Sequence, residues 1–175
     1  MATPVLAFAQ MATECEAEGM NPHNAERIAA ELAKTFSVHS DEVAIMKLEK
    51  TLLVFMYPSK LHQVGSIPLN TGSSVAARTA STKRAEAINN FAQTKHASVF
   101  ESVELGKKPE PGLHKEEKHI IQKLMTAPVV SPTGVLGVIQ VCRKGISAPA
   151  AGNDFGPPDL QKLVAIANTL VKCFK

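Results

Sequence analysis

The sequence has 175 residues and a mass of 18.7 kDa, which fits one domain, or one domain with a helical extension. Apolar residues make up 45% of the chain and charged residues 20%, so it supports a sizeable core and is not a disordered chain. The net charge of +3 is too small and too scattered for a protein that binds nucleic acid or a membrane surface. The seven Phe and one Tyr do not alternate with basic residues, as a base-stacking platform requires.

The cysteines and the N-terminus indicate the compartment. Cys15, Cys142 and Cys173 have no spacing typical of a disulfide framework or a zinc site, so we expect a reducing, cytoplasmic location. Residues 1–13 lack the basic start of a signal peptide. The uncharged stretch 124–142 approaches the length of a membrane span, but its Ser-Pro-Thr-Gly cluster predicts two buried strands joined by a turn.

The first part of the chain predicts two helices followed by a β-hairpin. Residues 3–18 and 22–37 each carry an apolar stripe at helical spacing. The spacing of apolar residues then changes from helical to strand-like in two segments, 42–48 and 51–57. The second segment is apolar on both faces. Such a strand is usually covered on both sides, so we expect helices on each face of the sheet.

The middle of the chain predicts an excursion away from the sheet. Its predicted pieces are a short strand over 65–72, a helix from Val75 to about Ala80 capped by Ser73 and Ser74, an extended segment over 85–90, a helical turn over 91–103 and a charged surface loop over 104–118.

The last part of the chain predicts a second hairpin and a closing helix. Strands over 120–130 and 135–143 are followed by a loop over 145–158 and a helix over 158–174. The two hairpins predict an α+β fold, in which a central antiparallel sheet carries the terminal helices on one face and the excursion on the other. The closing helix has more apolar residues than one face needs, which predicts packing on the first helices or a homodimer through the terminal helices.

One segment carries a family resemblance. Gly137–Gly145 reads Gly-Val-Ile-Gln-Val-Cys-Arg-Lys-Gly, and the Phe-x-x-x-Asp spacing of Phe155 and Asp159 follows it. With the order of elements, these residues resemble the GAF domain, a sensory fold of the PAS-like superfamily. The resemblance implies a ligand pocket between the sheet and the excursion. We divide the chain into an N-terminal helical extension (1–22) and a GAF-like domain (23–175).

The chain also departs from the ligand-binding members of that family. Where cyclic-nucleotide-binding members have Asn and Glu, this sequence has Arg143 and Leu160. Lys144, Phe155 and Asp159 match the family motif, and the resemblance implies that Lys144 and Asp159 pair to brace the fold. None of the cysteines has an adjacent His, as a covalently attached bilin would require, so we expect no cofactor.

Candidate ligand-binding residues cluster around the excursion. Hydroxyl side chains lie at the start of its helix. They either bind a polar ligand together with the exposed backbone N–H groups there, or act as ordinary N-caps. In GAF domains, residues that face the ligand often lie near the turn after the extended segment. Asn at this position has an alternative role, because it is also common in ordinary turns. The only tyrosine puts its hydroxyl either into the pocket or into water. The candidates are Tyr57, Ser73, Ser74, Thr79, Asn89, Asn90 and Phe91.

The sequence shows no catalytic or metal-binding constellation. His114 and His119 are five residues apart, which brings them together neither on a helix nor on a strand. Cys142 is either a small buried apolar residue or a thiol made reactive by Arg143. The methionine-sulfoxide reductase branch of the GAF family carries its cysteines in the excursion, and residues 65–118 here contain none. We therefore expect that the protein is not an enzyme.

Three functions remain open. The favoured one is a stand-alone GAF-like sensory module that binds an unknown small molecule and signals to a partner protein through its terminal helices by a population shift. The second is a structural or dimerisation module whose cavity has collapsed. The third is a thiol-based redox enzyme that uses Cys142. None of them involves nucleic acid or a membrane.

Overall fold

The computed structural model describes residues 4–58, 66–70, 74–91 and 120–175. The predicted loop over 104–118 and all of the predicted helical turn over 91–103 except Phe91 lie outside these residues. The described helices are α1 (Pro4–Cys15), α2 (Pro22–Phe36), α3 (Val75–Thr82), α4 (Ala148–Ala151), α5 (Pro157–Thr169) and α6 (Val171–Phe174). The strands are β1 (Val43–Glu49), β2 (Leu52–Tyr57), β3 (Ser66–Pro68), β4 (Glu86–Ile88), β5 (Ile120–Ser131) and β6 (Gly134–Gly145).

Local capping explains where the second helix begins and ends. The Asn21 side chain accepts a hydrogen bond from the backbone N–H of Asn24 at 2.8 Å, and Pro22 occupies the first turn. The helix ends at Ser37, whose φ of 54° lies in the left-handed region. The predicted bounds of this helix are therefore confirmed within a residue.

The described strands form one six-stranded antiparallel sheet in the order β3-β2-β1-β6-β5-β4. The β5–β6 hairpin lies near its centre, and its register runs from Ile120 opposite Gly145 to Ser131 opposite Gly134. The uncharged stretch 124–142 thus forms two paired strands, as predicted. None of the helices in the described parts of the chain is long and apolar enough to cross a bilayer.

The sheet separates two apolar cores. One face, which we call the helix-side face, packs on α1, α2, α5 and α6, and the other, which we call the α3 face, packs on α3. Helix-side residues include Phe8, Ile28, Leu32, Leu163 and Ile166, all fully buried. The predicted α+β plan, with terminal helices on one face and part of the excursion on the other, is confirmed.

The predictions differ from the structure most clearly in two helices and one loop. The first helix ends at Cys15 rather than at residue 18. The loop predicted over 145–158 contains the short helix α4, because Ser147 caps it by accepting a hydrogen bond from Ala150 N at 3.3 Å. The closing helix breaks at Leu170, whose φ and ψ of −87° and 1° leave the helical region and divide it into α5 and α6.

The salt bridges between described residues do not include the ion pair that the resemblance implied between Lys144 and Asp159. Asp159 Oδ2 accepts a hydrogen bond from Gly156 N at 2.9 Å and so caps the first turn of α5. The backbone N–H of Lys144 donates to Glu42 Oε2 at 2.6 Å, which joins β6 to the turn before β1. Asp159 therefore stabilises its own helix rather than a distant strand.

Two cations instead hold the loop before α5 against the sheet. Lys123 Nζ lies 2.8 Å from Asp154 Oδ1, although the lysine side chain is only 5% exposed. The Arg143 guanidinium lies 4.5 Å from the ring centroid of Phe155 and donates to Phe36 O at 3.1 Å. Arg143 therefore has a structural role in joining β6, α2 and this loop.

Candidate ligand site on the α3 face

The first turn of α3 lies directly on the sheet. Ser74 is 2% exposed, and its Oγ accepts a hydrogen bond from Ala77 N at 3.2 Å. The structure thus makes Ser74 the N-cap of α3. Small side chains follow it, including the buried Ala76 and Ala80, so the helix approaches the strands closely.

A buried hydrogen-bond relay joins α3 to two central strands. Thr79 Oγ1 donates to Val75 O at 2.8 Å and lies 2.9 Å from Thr126 Oγ1 on β5. Gln140 Nε2 on β6 donates to Thr126 Oγ1 at 3.4 Å. Since the Thr79 proton goes to Val75 O, the Thr126 hydroxyl must donate to Thr79. The relay therefore runs in one direction, from Gln140 through Thr126 and Thr79 to the backbone of α3.

The relay begins at a polar side chain that lies among apolar ones. Gln140 is 3% exposed, and among the described residues no buried side-chain nitrogen or oxygen atom is without a hydrogen-bond partner. The surrounding side chains of the α3 face are apolar and buried; they include Ala44, Met46, Phe91, Leu124 and Val138. An apolar surface with a few fixed polar groups is typical of small-molecule sites.

The structure brings together only some of the predicted ligand residues. Ser74, Thr79 and Phe91 all lie on the α3 face and are buried there. Asn90, next in the chain to Phe91, is exposed. Ser73 lies outside the described residues, so its predicted role remains a prediction.

Two other predicted ligand residues make structural contacts elsewhere. Tyr57 packs on the helix-side core, and its hydroxyl donates to Ser40 O at 2.9 Å. Asn89 binds the backbone of Phe155, accepting from its N–H at 2.7 Å and donating to its C=O at 3.0 Å. The structure therefore does not place Tyr57 with the residues of the relay.

Sequence reasoning missed Thr126 and Gln140. Both lie on the same face of adjacent strands, since Thr126 is the direct partner of Gln140 in the β5–β6 register. A usable signal existed, because each is the single polar residue within an apolar strand segment, Leu-Met-Thr-Ala and Val-Ile-Gln-Val. Buried polar side chains in such segments need partners, which points to a shared network.

An ion pair fixes α3 to the strand that follows it. The Arg78 guanidinium donates to Glu86 Oε1 at 3.0 Å and to Glu86 Oε2 at 2.9 Å. Both side chains are about one third exposed, at 30% and 33%, so the bidentate geometry matters more than the charge alone. This pair positions the C-terminal half of α3 beside β4.

The cysteines lie on both faces of the sheet. Cys142 is 1% exposed on the α3 face, whereas Cys15 and Cys173 are buried in the helix-side core. Burial, together with the neighbouring Cys15 thiol, raises the pKa of Cys173 from its ordinary value of 9.0 to about 11. Across the described ranges, no three His, Cys, Asp or Glu side chains are grouped to hold a metal ion.

Comparison with known proteins identifies the fold. No family model and no curated protein matches the chain. The GAF domain of an Acinetobacter phosphoenolpyruvate-protein phosphotransferase matches with a TM-score of 0.64 at 14% identity, covering 99% of this chain and 94% of that one. The A. aeolicus nlh2 GAF domain in an inactive state matches with a TM-score of 0.63 at 14% identity, covering 98% of this chain and 95% of that one.

A solved enzyme structure also matches. The free methionine-R-sulfoxide reductase of Neisseria meningitidis, in complex with its substrate, has a TM-score of 0.57 at 14% identity, covering 99% of this chain and 92% of that one. At such low identity these matches show the fold alone. The expectation drawn from Gly137–Gly145 and the order of elements is confirmed: the chain has the GAF fold.

Proposed function

We propose that this protein is a sensory module that binds a small molecule on the α3 face and passes a signal to a partner protein through its terminal helices. The observation that carries the proposal is the buried relay from Gln140 through Thr126 to Thr79, which places three hydrogen-bonding side chains among apolar ones. Small-molecule sites typically combine an apolar surface with a few polar groups of this kind.

The site favours an uncharged molecule with one hydrogen-bond donor. The Gln140 carboxamide oxygen would accept from an N–H or O–H group of the ligand. The relay side chains are all neutral, and Met46, Phe91 and Val138 offer apolar contacts on the same face. A ligand of this kind gains affinity by burying apolar surface and gains specificity from the single polar contact.

A chain of described contacts supports signalling from this face to the terminal helices. The relay holds α3, the Arg78–Glu86 pair holds α3 to β4, and Asn89 after β4 binds Phe155 at the start of the closing helices. A ligand that moves Thr79 would therefore change the position preferred by Phe155. The signal would be a shift between two populations of this linkage.

The test compares a relay variant with a matched control. Native mass spectrometry of freshly purified protein should show a retained small molecule, and Thr126→Val should lose it. Thr169→Val is the control, because it makes the same change of a hydroxyl to a methyl group on α5, where Thr169 donates to Ala165 O at 2.8 Å and lies away from the relay. It should retain the molecule.

A second readout covers a ligand that is lost during purification. In a broad screen of metabolites, a binder should protect the backbone amides of residues 74–91 from hydrogen exchange in the wild type but not in Thr126→Val. No retained molecule together with unchanged exchange across the screen would contradict the proposal and favour a structural or dimerisation module.

We also propose that the protein is a cytoplasmic homodimer without enzymatic activity. The proposal against a thiol enzyme rests on the burial of Cys142 and on the lack of cysteines in residues 65–118. Cys142 should therefore react slowly with iodoacetamide at neutral pH in the folded protein, and fast labelling would favour the redox enzyme instead. The subunit number follows from the same native mass spectra.

A further inference from the structure

The last turn of α1 and the helix α6 are joined side by side at several points. Lys172 Nζ donates to Thr13 Oγ1 at 2.9 Å, and the Cys173 thiol donates to Ala12 O at 3.5 Å. Cys15 lies one helical turn after Ala12 on α1, and, besides burial, its thiol contributes to the raised pKa of Cys173. The two thiols are therefore neighbours in the helix-side core, where 1% and 0% of their residue surfaces are exposed.

The backbone on both sides of this contact is also close. The turn after α1 passes along the end of the chain, where a Cβ built on Gly19 would lie 3.7 Å from Cys173 O and 3.8 Å from Lys175 O. Gly19 N also donates to Cys15 O at 2.8 Å, so the backbones of both cysteines lie close to Gly19. Closely spaced backbones are what a disulfide bond between the two residues requires.

A cation lies next to the first of these thiols. Arg27 Nη1 donates to Cys15 Sγ at 3.8 Å, while Arg27 Nη2 donates to Glu14 Oε2 at 2.7 Å and is thereby held in place. A guanidinium in this position stabilises the negative charge of a sulfur that attacks an oxidant. At Cys173, burial outweighs the effect of the neighbouring cation Lys172, which lowers the pKa, so the pKa of this thiol is raised.

We propose that Cys15 and Cys173 form a modification site, at which a hydroperoxide or a low-molecular-weight disulfide converts the two thiols into an intramolecular disulfide. The product would connect the C-terminal end of α1 covalently to α6. This inference does not depend on ligand binding at the α3 face.

With hydrogen peroxide the reaction proceeds in two steps. The Cys15 thiolate attacks one peroxide oxygen, the O–O bond breaks, and the hydroxide that leaves takes up the thiol proton as water, which gives a sulfenic acid. The Cys173 sulfur then attacks the Cys15 sulfur, the S–O bond breaks, and a second water leaves. Two thiols are oxidised and one peroxide is reduced to two waters.

Burial makes this reaction depend on local opening. The helix α6 is a single turn of four residues, which is the kind of segment that opens without global unfolding. The raised pKa of Cys173 keeps this thiol protonated at neutral pH, so Cys15 is the attacking and Cys173 the resolving residue. Formation of the disulfide should therefore be slow in the closed protein and faster in mild urea.

The experiment treats reduced full-length protein with hydrogen peroxide, blocks the remaining thiols with N-ethylmaleimide and maps the peptides without reduction. Wild type should lose two hydrogen atoms and give a peptide linked between Cys15 and Cys173. The matched control Cys142→Ser, also a buried cysteine, should give the same link. Cys15→Ser and Cys173→Ser should not, and the wild-type map by itself carries the test if either of these variants fails to fold.

A thermal measurement provides a second readout. Since the disulfide restrains a long stretch of unfolded chain, oxidised wild type and Cys142→Ser should melt roughly 5 to 15 °C higher than their reduced forms, and dithiothreitol should reverse the shift. Three intact thiols after oxidation in mild urea, a link through Cys142, or a link only between chains would overturn the proposal.

Discussion

Asn89 binds both backbone polar groups of Phe155, a residue 66 positions later in the chain. The side-chain oxygen accepts from Phe155 N at 2.7 Å and the side-chain amide donates to Phe155 O at 3.0 Å. This pairing imitates one rung of a sheet and connects the turn after β4 to the loop before α5. The Phe155 backbone lies in a loop, where no strand supplies hydrogen-bond partners. Asn89 supplies them instead, because backbone polar groups removed from water need partners.

Removal of the two hydrogen bonds between Asn89 and Phe155 should lower the stability of the protein even without a ligand. Asn89→Ala leaves the Phe155 N–H and C=O without their partner, so the free energy of unfolding should fall by about 1 to 3 kcal/mol. Urea denaturation of the two proteins measures the difference. Asn90→Ala is the control, because Asn90 is exposed and should change stability by less than about 0.5 kcal/mol. Equal effects at both positions would contradict this role of Asn89.

The relay predicts that Thr79 and Thr126 are energetically coupled. Thr126→Val leaves Gln140 Nε2 and Thr79 Oγ1 without a shared partner and should cost about 1 to 3 kcal/mol. Once either threonine is gone, removing the other should cost less, with a coupling energy of about 0.5 to 2 kcal/mol in a double-mutant cycle. In the control cycle, the stability losses of Thr126→Val and Thr169→Val should be additive. A coupling energy between these two positions would contradict the assignment of the relay.

Gly137 should not tolerate a methyl group. A Cβ at this position would lie 2.3 Å from Met46 O and 2.7 Å from Phe174 Cε2, so β1 or α6 would have to move. Gly137→Ala should therefore lose at least about 2 kcal/mol of unfolding free energy.

The matched control for this substitution is Gly156→Ala. A Cβ there would meet nothing closer than Pro158 Cδ at 3.5 Å, and its φ of −93° suits any residue. We expect a loss below about 1 kcal/mol for this variant in the same chemical denaturation. Similar losses of unfolding free energy at the two glycines would show that close packing is not the reason for glycine at position 137.

The raised pKa of Cys173 predicts a loss of stability in alkaline solution. The folded state favours the protonated thiol, so its contribution is fully present below pH 9 and is lost as the pH rises through about 11. Under reducing conditions, wild type should lose on the order of 2 kcal/mol more than Cys173→Ser across this window. Urea midpoints at intervals of pH check this. Parallel profiles of the two proteins would mean that the thiol is not perturbed.

The amino-acid sequence by itself determined the elements whose signals are local. The cap at Asn21, the Ser-Pro-Thr-Gly turn and the apolar alternation of β5 and β6 all act between residues close in the chain, and each predicted element formed. The segment Gly137–Gly145 and the spacing of Phe155 and Asp159 also indicated the correct fold. Three predictions about helices were wrong: the end of α1, the short helix that Ser147 caps, and the break of the closing helix at Leu170.

Only the tertiary structure decided which side chains meet. Tyr57 would share the α3 face with Phe55 by simple alternation, but a bulge shifts the register so that Ile45 faces Tyr57 while Met46 faces Phe55, and Tyr57 turns to the helix-side core. Thr79 and Thr126 are 47 residues apart, and no local pattern links them. Strand pairing and bulges set these distances, because they depend on how the whole sheet closes rather than on neighbours in the chain.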